Sequence, residues 1–144
     1  RSSAASDVYK RQNQDIITAL KQLYPDVQDI EWSQKGVYYV ADCWVNGSEL
    51  DVWFDANANW IMTEMEIFRE QLPAAVNTAY EESGYGDWVI DNLTKLTFPH
   101  KSEEFVFEVQ RGAQERALYY SAYGGLLLEK DITDADDTHW PDVE

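Results

Sequence analysis

Apolar residues recur along this chain with two periods, and the periods divide it into helices and strands. Ile16, Ile17, Leu20, Leu23 and Tyr24 are spaced by threes and fours, which predicts a helix that Pro25 stops. Pro73 followed by Ala74, Ala75, Val76, Ala79 and Tyr80 predicts a second helix, with proline in its first turn and its end near Gly84. After each helix the period shortens to two. Val27–Ser33, Val37–Val45, Glu49–Asp55 and Trp60–Ile67 are rich in aromatic and β-branched residues, and Lys35-Gly36, Asn46-Gly47 and Asn57–Asn59 separate them. Trp88–Phe98, Glu104–Gln110, Glu115–Ser121 and Leu126–Ile132 follow the second helix, with Arg111-Gly112 and Gly124-Gly125 as turns. Asn46-Gly47 is a strong hairpin signal because both residues accept positive φ. Connections this short force antiparallel neighbours.

The two halves match at an offset of 66 residues. Tyr39–Cys43 lies over Phe105–Val109, Glu49–Asp55 over Glu115–Ser121, and Trp60–Met62 over Leu126–Leu128. A solenoid needs three or more units, so two copies predict a fused pair of small units. The predicted class is α+β, each unit a helix plus a four-stranded antiparallel meander, over residues 13–68 and 69–132. An acidic tail, 133–144, is expected to fray.

Alternation then sorts the faces. Leu50, Val52, Phe54, Tyr39, Ala41, Cys43, Phe105, Phe107, Val109, Leu118 and Tyr120 should lie under the helices. The opposite face carries Tyr38, Asp42, Trp44, Asp51, Trp53 and Asp55, mirrored by Glu108 and Tyr119. A solvated sheet face is normally mostly polar, and this one mixes large aromatics with carboxylates. Two readings stand. Either the face binds a partner, with Tyr38, Trp44, Trp53 and Tyr119 as anchors and Asp42, Asp51, Asp55 and Glu108 selecting a basic one. Or the tail or a second chain covers it, or its aromatics stiffen the sheet through cross-strand pairs.

Composition narrows the partner. The 144 residues hold 27 acids against 11 Lys and Arg, a net charge of −16, which repels nucleic acid and anionic lipid. No apolar run reaches the roughly 18 residues of a membrane span. One cysteine, Cys43, permits no internal disulfide. Catalytic signatures are missing: there is no H-E-x-x-H, no C-x-x-C, no phosphate-binding glycine loop and no G-x-S-x-G. Asp55, Asn57, Asn59 and Glu66 have calcium-loop spacing, but Trp60 stands where the loop needs glycine, so no metal or other cofactor is expected. His100 and His139 fall in a loop and the tail, where solvation is expected. Ser2–Gln12 resembles a translated sequencing adapter, so residues 1–12 are expected to be non-native, with the true N-terminus missing.

Tyr24-Pro25, Asp29-Ile30-Glu31-Trp32, the turn at 45–47, Leu50–Asp55 leading to Asn59-Trp60, Glu64 before Ile67, and Leu72–Val76 together resemble the PepSY-like, β-lactamase-inhibitor-like family. The usual glycine after the aspartate is replaced by Ala58 or Asn59 in the first half. The second half keeps Gly124-Gly125 but has Ser121 for the acid. The resemblance implies one continuous curved sheet with helices on one face. It also implies an exported, periplasmic or secreted bacterial protein, non-enzymatic, that binds a protein or peptide and is inhibitor-like toward a peptidase or other hydrolase. The alternative is a module for extracellular glycan binding or envelope attachment, since aromatic faces also stack on sugars.

Overall fold

The computed structural model describes residues 14–135 and 139–141. The adapter-like segment 1–12 and the tail acids Asp136 and Asp137 lie outside the described residues. The described residues form an α+β structure with eight antiparallel strands ordered as in the sequence. It divides into two compact units, with the boundary between Thr63 and Glu64.

The first unit opens with helix α1, residues 14–23, in which Ile16 and Leu20 are buried one turn apart. Strands β1 (Gln28–Lys35), β2 (Tyr38–Val45) and β3 (Ser48–Phe54) follow, and β4 (Trp60–Glu66) crosses the boundary between the units. These limits lie within two residues of those the alternation predicts. The Tyr24 hydroxyl, just past α1, is 2.8 Å from the Thr63 hydroxyl, which also accepts from the Trp60 indole N–H at 3.0 Å. Asn46 and Gly47 have φ of 52° and 83°, the left-handed pair that closes a two-residue hairpin and sets Val45 opposite Ser48.

The described part of the second unit holds a 3₁₀ turn (Arg69–Gln71), helix α2 (Ala74–Glu81) and strands β5 (Val89–Thr97), β6 (Glu104–Arg111), β7 (Gln114–Ser121) and β8 (Leu126–Asp131). Its core forms where Val76 and Tyr80 of α2 meet Phe105, Phe107, Val109, Leu118 and Tyr120, joined by Ile67 and Leu93. The Tyr80 ring stacks on Phe107 with centroids 4.2 Å apart, and Phe107 meets Tyr120 edge-on at 5.6 Å. Such pairs add to the burial term because the ring quadrupoles are complementary. The Tyr80 hydroxyl donates to the Tyr85 carbonyl, so the polar atom of the Tyr80–Phe107 pair is satisfied.

The predicted inward set is buried, Tyr39 alone being only half-buried. The opposite face departs from expectation. Trp53 has no exposed surface, Tyr119 is 3% exposed, and Val40, Val106, Ala117 and Glu108 are buried as well. The parity read from the sequence holds, but large parts of the second face are covered. Trp53 and Tyr119 are core residues by accessibility. Phe54→Ala, Tyr120→Ala, Trp53→Ala and Tyr119→Ala should therefore each destabilise by about 3–5 kcal/mol in urea melts. A much smaller cost at Trp53 and Tyr119 would mean that their cover is loose.

Two turns show opposite uses of the left-handed backbone. Ala58, between β3 and β4, has φ of 65°, a conformation that crowds its own Cβ. Gly124, between β7 and β8, has φ of 87°, and a Cβ there would lie 2.6 Å from the Ala75 carbonyl oxygen at the start of α2. Ala58→Gly should raise stability by about 1 kcal/mol, because glycine enters this region without penalty. Gly124→Ala should lower it by more than about 2 kcal/mol, adding a backbone clash to the strain. Chemical denaturation of the two variants checks both signs.

Candidate binding face

Strand register assembles the candidate face of the first unit. Glu31 pairs with Asp42 and Asp42 with Asp51, so three carboxylates stand in one row across β1, β2 and β3. Directly opposed side chains sit roughly 5 Å apart at Cβ, and like charges there are destabilising. Burial, followed by the charge of Asp42, raises the Asp51 pKa above its ordinary value, while Lys35 pulls it back. Beside the row, Trp44 faces Glu49 and is 43% exposed. On its other side Val40 faces Trp53, and beyond them Tyr38 faces Lys35.

Trp53 is the floor of this surface, not its tip. Tyr38 meets it edge-on at 5.6 Å, and the Lys35 ammonium sits 5.5 Å from its ring centroid, within cation–π range. Trp44 thus remains the projecting tryptophan among the predicted anchors, with half-buried Tyr38 beside Trp53. Asp55 is committed elsewhere. One of its oxygens accepts from the backbone N–H groups of Asn57 (2.9 Å) and Asn59 (3.0 Å), and the other from the Asn59 side chain (3.1 Å). Burial works to raise the Asp55 pKa, and these hydrogen bonds outweigh it and hold it low. Its carboxylate is a staple for the β3–β4 turn.

Cys43 points to the other face, opposite Leu50, and is buried. Burial, then the charges of Asp42 and Asp51, push its thiol up to about 11. That is the environment of a small core residue.

The second unit presents different geometry at Glu108 and Tyr119. His139, expected in solvent, is 6% exposed and so is Glu108. Its Nε2 lies 3.0 Å from a Glu108 carboxylate oxygen and its Nδ1 3.0 Å from the Tyr119 hydroxyl. The Asn92 amide donates to the same Glu108 oxygen at 3.2 Å, and the Lys130 ammonium donates to the Tyr119 hydroxyl at 3.3 Å. The tail is also anchored earlier: Glu115 N–H donates to the Thr133 hydroxyl, and the Thr133 hydroxyl donates to Asp131. The expectation of a frayed, solvated tail fails at these residues because a buried carboxylate needs a donor, and the tail supplies one. Next to Glu108 a cleft of about 560 Å³ is lined by Glu66, Asp91, Asn92, Glu115 and Thr133 among others, and is strongly acidic.

Sequence reasoning missed Glu31, Lys35, Lys130 and His139. The alternation of β1 could have found the first two, since Glu31 and Lys35 share a parity. Nothing local marks His139, whose partners lie 20 and 31 residues away.

Comparison with other proteins fits this architecture. A family model described as "Putative beta-lactamase-inhibitor-like, PepSY-like" matches residues 37–128. A crystal structure of a BLIP-like protein from Bacteroides fragilis is 55% identical, with a TM-score of 0.84, covering 90% of this chain and 93% of that one. A structure from Bacteroides eggerthii, described as "putative periplasmic proteins", is 32% identical (TM-score 0.82; 85% and 91% covered). A DUF2874 family protein from Bacteroides ovatus is 29% identical (TM-score 0.82; 85% and 89% covered). No curated protein matches the chain. Sequence and fold therefore agree that the chain belongs to the PepSY-like, β-lactamase-inhibitor-like family.

Proposed function

We propose that this chain is a non-enzymatic, exported binding module that captures a basic protein or peptide. Its two helix-plus-strand units are read as tandem copies. The observation that carries the proposal is the row Glu31, Asp42 and Asp51 beside exposed Trp44. Three like charges across adjacent strands cost stability, and a cationic partner would turn that cost into attraction. Trp44 and Tyr38 supply the anchoring surface, as Trp and Tyr commonly do at hot spots. Within the first unit Trp53 supports Tyr38 from beneath and Asp55 fixes the adjoining turn, whereas Glu108 and Tyr119 belong to the second unit and are taken by themselves. The BLIP-like relative from B. fragilis and the periplasmic description of the B. eggerthii relative support a protein partner and export. An inhibitor-like role toward a peptidase or other hydrolase is the finer form of this reading.

Asp51→Asn separates the fold's interest from the binding interest. The native state holds the Asp51 proton more tightly than the unfolded chain does. That carboxyl therefore favours folding at acid pH, and the contribution is lost as pH rises through the raised pKa. Asp51→Asn should stabilise the protein by about 0.2–1 kcal/mol at neutral pH, the size of an opposed like-charge pair. The gain should vanish below the ordinary carboxylate range, which urea melts across pH 3–7 measure.

Capture from the source organism's envelope fraction tests binding. Wild type should retain a basic partner at low salt and lose it steeply as salt rises. Trp44→Ala should stay folded and weaken the interaction by at least about 2 kcal/mol if Trp44 is a hot spot. Asp51→Asn should also bind less while being more stable. Retention of every partner by folded Trp44→Ala would overturn the assignment, and salt-insensitive binding to polysaccharide would favour the glycan-binding alternative.

A further inference from the structure

The polar cluster around His139 has the construction of a binding site. Glu108 on β6 and Tyr119 on β7 are diagonal neighbours: Glu108 faces Ala117, and Val106 faces Tyr119. The small Ala117 methyl stands beside the carboxylate in its row. An imidazole ring, with nitrogens on opposite edges, bridges the pair at 3.0 Å on each side. The carboxylate accepts, so Nε2 donates to Glu108. Nδ1 accepts from the Tyr119 hydroxyl when the ring is neutral and donates to it when the ring is an imidazolium, and the same hydroxyl accepts from Lys130. Asn92 braces the carboxylate and the Lys130 ammonium lies 4.9 Å from the Tyr119 ring centroid, so neighbouring side chains fix both recognition groups. His139 meets Tyr119 edge-on at 5.9 Å between centroids.

We propose that Glu108 and Tyr119 form a docking pocket for a histidine side chain, and that the chain's own His139 fills it as a tethered ligand. His139 has no place in the apolar cluster of Val76, Tyr80, Phe107 and Tyr120, which is built from inward-facing residues of the opposite parity. Releasing the ring uncovers Glu108 and Tyr119 but removes no side chain from that cluster. Tethering gives His139 a high effective concentration at the pocket, so a histidine from another molecule competes only when it brings contacts of its own. The proposal concerns the second unit alone and stands apart from the acidic row of the first.

The test uses full-length His139→Gly with imidazole as probe. The variant should melt cooperatively at a lower temperature, and imidazole at millimolar concentration should raise its midpoint saturably. Wild type should show no such rise at the same concentrations. Guanidinium at matched concentration should not substitute, and adding Glu108→Gln to His139→Gly should weaken imidazole binding at least about tenfold. Tyr119→Phe in the same background should also weaken it. A folded His139→Gly without saturable binding, or with binding indifferent to Glu108→Gln, overturns the proposal. So does loss of cooperative melting in both His139→Gly and His139→Gln, since His139 would then be part of the structural core.

Discussion

The register of the β2–β3 hairpin is the constraint on which the first unit depends. With Asn46 and Gly47 both at positive φ, the connection has two residues and no freedom to slip. Every later pair follows from Val45 opposite Ser48: Cys43 with Leu50, Ala41 with Val52, and Tyr39 with Phe54 on the inward side. The same register forces Asp42 against Asp51. A shift by one residue would send Phe54 outward and the aspartates into the core. Repulsion between two carboxylates is the lesser penalty, by several fold.

The second unit resolves the same problem differently. Its β6–β7 register places Glu108 opposite Ala117, so no like charge faces the carboxylate. The acid is buried and receives donors from Asn92 and His139. In the first unit the acids stay partly solvated, with Lys35 as the cation that offsets Asp51. Comparable strand chemistry thus gives an internally satisfied carboxylate in one unit and an outward-looking row in the other.

The fold was legible because its signals are local. Helix spacing at Ile16 to Leu23 and at Val76 to Tyr80, alternation in eight segments, and glycine or asparagine at the turns each act within a few residues. The candidate face was legible only in parity. Alternation places Trp53 opposite Phe54 across the strand, but it does not reveal that Lys35 and Tyr38 close over the ring. Nor does it reveal that His139 will reach Glu108, because that contact is decided by the path of a tail with no apolar pattern. Asp55 illustrates a third kind of miss. Its parity assigns it to the face, whereas the positive φ of Ala58 bends the chain so that Asn57 and Asn59 claim its oxygens.

The buried thiol of Cys43 has a consequence for chemistry outside the fold. A pKa pushed up to about 11 leaves on the order of one thiol in ten thousand as thiolate at neutral pH, and only the thiolate attacks disulfides or alkylating reagents. The surrounding strands add a steric barrier, since the side chain has no exposed surface. Such a residue can reside in an oxidising compartment without forming mixed disulfides while the sheet is closed. Its reaction with a thiol reagent then requires a local opening of the first unit. Cys43 is in effect a clock whose rate reads the opening equilibrium of the first unit without any introduced label.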